Sequence, residues 1–484
     1  MKKSKTGVVI VILAIVILLA LAPWYLVAVR FLAEEGFTFF ASAAEEESAE
    51  EYPDYDYAAG SETEDYPEQE NVPEEEPEIL IDETIINISD AFPELVNELR
   101  ILSSDYNSIG VSLVAFDSAT SEFFTYQFGF ADMEERRHVD VETKFRVASL
   151  SKVVTAICAM VLVDEGLLDL DADISNYLGY EVVNTYFPDT PITSRMLLQH
   201  TSSIFDSGAF HVSRERNSDE YLQNILERGT SFRRSQPGTS FEYTNFGYSV
   251  LAAVVETITG TTIDNLARNL LFEPLNIDAA FVPSRLSDTS NIAVIYNDRH
   301  GVTRTVESQL YIRDSDTHGR DVHLAQSNLT ISALDYARIL AMLGNGGILG
   351  GVRILSQEAV RAIHNTDVQA PNYRQGLGVR FNAGGFLSNS GFYWHTGSGY
   401  GGFMQFAYVP GPGGNRGVVV LSTGATISRL PTGLIDFNSD LSLAVWHGIW
   451  YPRQEPVPDA DDEYTEWDDD YEYDEPDEGY EVDE

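Results

Sequence analysis

The spacing of apolar positions divides the chain into stretches of different kinds. Gly7 to Val29 is an unbroken uncharged run of 23 residues, about 34 Å long as a helix and sufficient to cross a bilayer core of about 30 Å. From Phe31 to Leu99 there is no Lys or Arg, and Glu45 to Glu83 crowds Glu and Asp among Pro, Tyr and Ser. Such a segment repels itself and has little apolar surface to bury, which predicts an extended tether. Periodicity then begins. Leu95, Leu99 and Leu102 at helical spacing predict a helix over Ala91–Ser103, and Ile109–Phe116 and Phe123–Phe130 read as strands joined by a polar turn. Ser151–Glu165 is apolar almost all round, the pattern of a buried helix, with Gly166 as its stop. Tyr248–Thr259 and Leu334–Leu343 read as helices ending at Gly260 and Gly344. Gly376–Phe381, Phe392–Thr396, Phe403–Val409 and Gly417–Thr423 read as consecutive strands, and Ser439–Trp450 as a closing helix. Strands at both ends with helices between imply an α/β fold of the α+β type. One antiparallel sheet is assembled from the two ends of the body, flanked by helices, with a mainly helical region inserted in the middle.

Charge refines this layout. Lys2, Lys3 and Lys5 precede the apolar run, so the positive-inside rule makes 1–6 a cytoplasmic N-terminus, 7–29 a transmembrane anchor and the remainder extracytoplasmic, at the cell membrane. The alternative is a cleaved signal peptide, for which Ala41-Ser42-Ala43 offers a small-residue site, although 23 residues exceed the usual length of its apolar core. Residues 30–84 form an acidic disordered linker, 85–452 the folded body, and 453–484 an acidic disordered tail. The net charge of -46 mostly describes the linker and tail, which together hold nearly half of the 76 acidic residues. They could bind divalent cations, space the body within a cell wall or dock a basic partner; a solvated tail is the simpler reading. An acidic chain lacks the basic footprint that nucleic acid requires, so no nucleic-acid partner is expected. Cys158 is the single cysteine, excludes an intrachain disulfide, and falls in an apolar run as a small buried hydrophobe. The nine His show no metal pattern; His318 and His323, with Asp321 between, read as a polar loop, and no metal or cofactor is implied.

The candidate chemistry starts at Ser149-Leu150-Ser151-Lys152. Residues i and i+3 of a helix share a face, so an amine would lie beside the Ser149 hydroxyl, near a helix N-terminus whose free N–H groups favour a developing alkoxide. Only five of the thirty basic residues are Lys, and beyond the N-terminus only Lys144 and Lys152 remain. Arg stays protonated, whereas a buried Lys can lose its proton and act as a base. Tyr243-Thr244-Asn245 offers a phenol, a hydroxyl and an amide on a loop after Pro237-Gly238-Thr239. His395-Thr396-Gly397-Ser398 ends a predicted strand, where glycine permits close approach to the backbone.

SxxK, then YxN, then H-T-G, in this order, resembles the serine penicillin-recognising enzymes, and the chain is similar to the class C beta-lactamase and DD-peptidase family, the beta-lactamase-related serine hydrolases. Met196 to Ser202 looks like that family's LLxHTSG segment, Pro237 to Asn276 like its PG...YSN...PLG block, and Gln375–Gly378 and Gly399–Pro410 like its glycine-rich strands. The resemblance covers almost the whole body and implies a beta-lactamase/DD-peptidase-like fold. It implies that Ser149 is the acylated nucleophile, with Lys152 or Tyr243 as its base. Asn245, His395, Thr396 and Gly397 would bind substrate, and the backbone N–H groups of Ser149 and Ser398 would form the oxyanion hole. Three departures stand out: His395 where lactamases carry Lys, Ser203 where Gly follows HTS, and Gln326-Ser327-Asn328-Leu329 where GGL is usual. His395 leans the expectation toward a DD-carboxypeptidase-like or esterase-like hydrolase acting on a small-molecule or cell-wall peptide substrate. A non-turnover penicillin- or wall-peptide-binding receptor and a true beta-lactamase are the alternatives.

Overall fold

The computed structural model describes residues 83–208, 219–311, 322–411 and 414–451. The expected anchor at 7–29, nearly all of the linker at 30–84 and the tail at 453–484 lie outside the described residues, as do His318 and Asp321. Among the described residues no single helix is long and apolar enough to cross a membrane.

The strands are β1 (Thr84–Asn87), β2 (Gly110–Asp117), β3 (Glu122–Asp132), β4 (Val368–Gln369), β5 (Arg374–Gln375), β6 (Arg380–Asn382), β7 (Phe392–Gly399), β8 (Gly402–Gly411) and β9 (Gly414–Thr423). They form one sheet in the order β1-β3-β2-β9-β8-β7-β6-β5-β4, with a short strand Arg137–His138 against β3. The two ends of the body meet where β2 pairs with β9, Val114 opposite Val419. Apart from Arg137–His138, the residues described between β3 and β4 contribute no strand to this sheet, as the inserted helical region requires.

Two expectations need correction. The sheet is mixed, because β1 runs parallel to β3 with Ile85 opposite Phe123. The helices Ile88–Ala91 and α1 (Pro93–Asp105) intervene between β1 and β2, so β1 is free to dock in either direction, and its four residues carry no signal of which. Nor is Gly376–Phe381 one strand. Gly376 N–H donates to the Val379 carbonyl at 2.8 Å, closing a turn between β5 and β6. Gly378 takes φ +86°, and a Cβ there would lie 2.8 Å from that of Ala156; the turn is pressed against the helix beneath it.

That helix is α2 (Ser151–Asp164), buried from Ser151 through Leu162 and stopped where Gly166 turns left-handed. Cys158 is fully buried within it, and burial pushes its thiol up to about 12. With α3 (Phe246–Thr259) and α4 (Ala333–Gly344), α2 shares a core with one face of the sheet, reached by Val114, Phe116, Phe406, Val419 and Leu421. The alternate positions Val111, Leu113, Ala115, Val418 and Val420 face α1 and α5 (Asp436–Trp450). Period-2 alternation with both faces apolar gives a sheet sandwiched between helical layers. The candidate site lies where the N-terminus of α2 meets β7.

Candidate active site

Ser149 sits in a 3-10 turn, Ala148–Leu150, that leads directly into α2. The turn is tight: Ala148 adopts φ +48°, a left-handed conformation that L-residues take at a cost of order 1–3 kcal/mol. Buried Ser151 holds it, donating to the Ala148 carbonyl at 2.7 Å and accepting from Leu329 N–H at 3.0 Å, and Tyr336 donates to the Leu150 carbonyl at 3.0 Å. The Ser149 side chain is thereby left at the surface of the cleft while its neighbours Ala148 and Leu150 are buried.

Around this hydroxyl converge the amine and the phenol. Lys152 Nζ lies 3.4 Å from Ser149 Oγ and donates to Asn245 Oδ1 at 2.9 Å and to the Gln326 carbonyl at 2.8 Å. Tyr243 donates to Ser149 Oγ at 2.9 Å. Lys152 is wholly buried, and that desolvation pulls its pKa below the ordinary amine range, although Tyr243 and Asp206 work the other way. Burial works to raise the Tyr243 phenol, but the charges of Lys152 and Arg380, with its hydrogen bonding to Lys152 and Ser149, outweigh it and leave the phenol below its usual 10. Two carbonyl-type acceptors can absorb both N–H groups of a neutral Lys152, leaving its lone pair toward Ser149; an ammonium beside a phenolate fits the same heavy atoms. The pair therefore titrates as a unit able to take the Ser149 proton.

His395, Thr396 and Gly397 lie inside β7, which continues through Gly399. A Cβ on Gly397 would sit 2.3 Å from the Val147 carbonyl oxygen and 3.3 Å from Ser149 N. The glycine's immediate role is therefore to let β7 lie against the Ser149 turn. Opposite Ser398, the Phe403 carbonyl already accepts from Ser422 Oγ at 2.8 Å and Asn438 Nδ2 at 3.1 Å. His395 is buried, with Nδ1 2.9 Å from the Thr396 carbonyl. Desolvation, then the charges of Arg380 and Lys152, hold it well below the ordinary imidazole range. It is a neutral ring at pH 7 and supplies no cation.

The cation is Arg380, on β6, which the sequence reading missed. Its guanidinium carbon lies 5.4 Å from the centre of the Tyr243 ring, 4.7 Å from Tyr373 and 5.1 Å from Trp394. Its Nη1 is 3.5 Å from Thr396 Oγ1, and its Nε is buried with no hydrogen-bond partner. No carboxylate among the described residues pairs with it. Only 8% exposed, it is a desolvated positive charge at the cleft, in surroundings where an incoming anion is strongly favoured. Three aromatic side chains at distant positions in sequence were no signal for it.

The other two departures acquire local explanations. Ser203 adopts φ +64°, the conformation a glycine takes without strain, and is held by Asn184 Nδ2 donating to its Oγ at 2.8 Å. Gln326–Leu329 is more than a loop beside the pocket, since Gln326 supplies a carbonyl to Lys152 and Leu329 braces the Ser149 turn from both sides. His323 donates to or accepts from Ser249 Oγ at 3.1 Å inside the core.

The chain is similar to known proteins. The model of the family described as Beta-lactamase matches residues 88–432, more than half of the chain. Penicillin-binding protein 4 of Amycolatopsis lactamdurans is 26% identical over 335 residues, covering 66% of this chain and 83% of that protein; penicillin-binding protein 4* of Bacillus subtilis is matched over 41% of its own length. Among solved structures, the octameric penicillin-binding protein homologue from Pyrococcus abyssi superposes with TM-score 0.60 at 20% identity, covering 74% of this chain and 77% of that one. A class C beta-lactamase gives 0.57 at 17% identity over 74% and 96%. Both share its fold.

Proposed function

We propose that this chain, which belongs to the beta-lactamase family of serine hydrolases, is a membrane-anchored extracytoplasmic hydrolase of D-amino-acid peptides, amides or esters, most like a DD-carboxypeptidase or esterase. In the proposed reaction Ser149 Oγ bonds to the substrate carbonyl carbon as its proton passes to the Lys152–Tyr243 pair. The oxyanion that forms is met by the N–H groups of Ser149 and Ser398. Collapse breaks the bond to the leaving amine or alcohol, to which the pair returns the proton. Water then bonds to the acyl carbon as the same pair accepts its proton, and collapse breaks the ester bond to Ser149 Oγ, to which the pair returns the proton as the acid product leaves. Asn245 holds the substrate amide through the amide N–H that its protein contacts leave over. For the location, Lys2, Lys3 and Lys5 followed by the apolar run Gly7–Val29 support an anchor with the body outside.

Arg380 carries the choice of substrate class. A buried guanidinium with an unpartnered Nε, next to Thr396 and over Tyr243, fits a substrate bearing a carboxylate on its leaving group, such as a peptide ending in D-Ala-D-Ala. With His395 neutral, Arg380 does the anchoring that a Lys would do at the head of H-T-G. The test is a panel of a D-Ala-D-Ala peptide, its C-terminal amide, a short neutral ester and nitrocefin, run with Ser149→Ala and Arg380→Gln. Arg380→Gln should raise KM for the free carboxylate about 10- to 100-fold, the scale of a charge-assisted hydrogen bond, and leave the neutral ester within a few-fold. Equal losses on both substrates would remove the carboxylate assignment, and nitrocefin turnover exceeding that of the peptide would favour a lactamase.

A further inference from the structure

We infer that Asp206 is a positioning residue for this active site: it fixes which way the Asn245 amide faces, and through that amide it aims Lys152 at Ser149. The inference rests on the serine hydrolase reading and is independent of which substrate is used.

The four contacts of its carboxylate divide by oxygen. Oδ1 accepts from Thr244 Oγ1, from Asn245 N–H and from Phe246 N–H, each at 2.8 Å. Phe246 opens α3, so Oδ1 also satisfies a backbone donor at that helix N-terminus, where Asn245 makes no side-chain cap. Oδ2 accepts from Asn245 Nδ2 at 2.7 Å. A carboxylate only accepts, so the NH2 end of the Asn245 amide must face Asp206 and its carbonyl end must face Lys152, which donates to it at 2.9 Å. A rotation of that amide by half a turn would set donor against donor on the lysine side. One hydrogen of Nδ2 remains for a substrate carbonyl. The amide sits between a residue that dictates its orientation and a residue that depends on it, the arrangement in which a base is oriented by a third group.

Asp206 also contributes charge. Among the described residues, the ionisable groups facing Lys152 are Tyr243 and Asp206 from the loops before α3, Tyr248 on α3, Arg380 on β6, His395 on β7 and His200 beneath the Tyr243 ring. His200 and His395 are held neutral, chiefly by burial. Asp206 is the one carboxylate of this set, and its charge favours the protonated lysine. Removing it must therefore shift the proton equilibrium of the Lys152–Tyr243 pair to lower pH, whichever of the two holds the proton.

The test uses Asp206→Asn in the full chain. Its amide oxygen can still accept the three Oδ1 bonds, so the loop and the α3 N-terminus keep their contacts, but an NH2 now meets the NH2 of Asn245. The Asn245 amide turns over and Lys152 loses an acceptor. The rate constant for labelling by a fluorophosphonate probe, measured across pH, should fall about 100-fold, the scale of losing a group that orients a catalytic residue. Its acid limb should move to lower pH while the unfolding midpoint stays within a few degrees. The double variant Asp206→Asn with Asn245→Asp re-pairs amide with carboxylate in the opposite sense. It places the carboxylate against Lys152, so its acid limb should move above that of the parent, with part of the rate restored. Labelling of Asp206→Asn at the parent rate, or a slower rate with the limb unmoved, overturns the inference. Should Asp206→Asn not fold, the double variant decides alone, and an unmoved limb there is equally fatal. A parent protein that the probe does not label, or a Ser149→Ala variant that it does, would instead strike the serine hydrolase reading.

Discussion

Replacing Gly397 by Ala tests the packing of β7 against the Ser149 turn with the smallest possible perturbation. The added methyl would sit 2.3 Å from the Val147 carbonyl oxygen, against an ordinary contact of 3.4 Å or more, so strand and turn must separate by about 1 Å. Neither side yields easily, because Val147 N–H is bonded to the Leu329 carbonyl at 2.8 Å and β7 is paired with β8 from Tyr393 to Gly399. Ser398 N–H and Ser149 Oγ lie on opposite sides of that seam. A displacement of about 1 Å in such a constellation costs roughly 100-fold in rate, or about 2.7 kcal/mol in the barrier. Overpacking should lower stability by about 1–3 kcal/mol as well. The assay is the rate constant for fluorophosphonate labelling in parent and variant, with chemical denaturation in parallel so that the rate is referred to folded protein. A Gly397→Ala variant that is folded and acylates within three-fold of the parent would refute the reasoning, since it would mean that β7 and the Ser149 turn do not need this proximity.

The other expectations bear on the proton and on the scaffold. Lys152 and Tyr243 are both held below their ordinary values of 10.5 and 10.0; acylation, which needs one proton gone from the pair, should rise with pH and level off below pH 10. A labelling rate still climbing beyond that point counts against the site as drawn. Tyr243→Phe removes the bond to Ser149 and an interaction that favours protonated Lys152, so the rate should drop about 100- to 10,000-fold and the residual acid limb should shift to lower pH. Away from the site, Asp335 accepts from buried Lys144 at 2.9 Å and from Arg338 at 2.8 Å. Arg338 keeps Glu83 at 2.8 Å, but Lys144 would be left with Asp278 at 3.6 Å and Glu142 at 3.8 Å. Asp335→Ala should therefore destabilise by about 3 kcal/mol in equilibrium unfolding, and a loss under 1 kcal/mol would show that the cluster is better solvated than its burial implies.

Several of these residues were legible before any coordinates. The Ser149–Lys152 spacing placed an amine beside a hydroxyl because helical periodicity alone brings i and i+3 together. Val111 to Phe116 and Val418 to Leu421 are almost continuously apolar, as a strand buried on both faces must be. Asp206 and Arg380 were not legible, since Asp206 is one of 76 acidic residues, and its importance exists only where Thr244, Asn245 and Phe246 turn their donors toward it. Arg380 looks like any strand arginine until Tyr243, Tyr373 and Trp394 enclose it. Gln326 stood out as a departure from the family pattern, but its role did not, because what it contributes is a main-chain carbonyl, which every residue possesses.

Short-range order is written in residue type: periodicity decides which segments become helices or strands, and motif spacing decides which nucleophile and base can be neighbours. Direction, charge and orientation were settled by contacts between segments far apart in the chain. The parallel docking of β1, the neutral state of His395, the unpartnered Nε of Arg380 and the facing of the Asn245 amide each depend on which groups lose water together. Desolvation and hydrogen-bond complementarity are properties of the assembled cleft, and no single stretch of sequence possesses them.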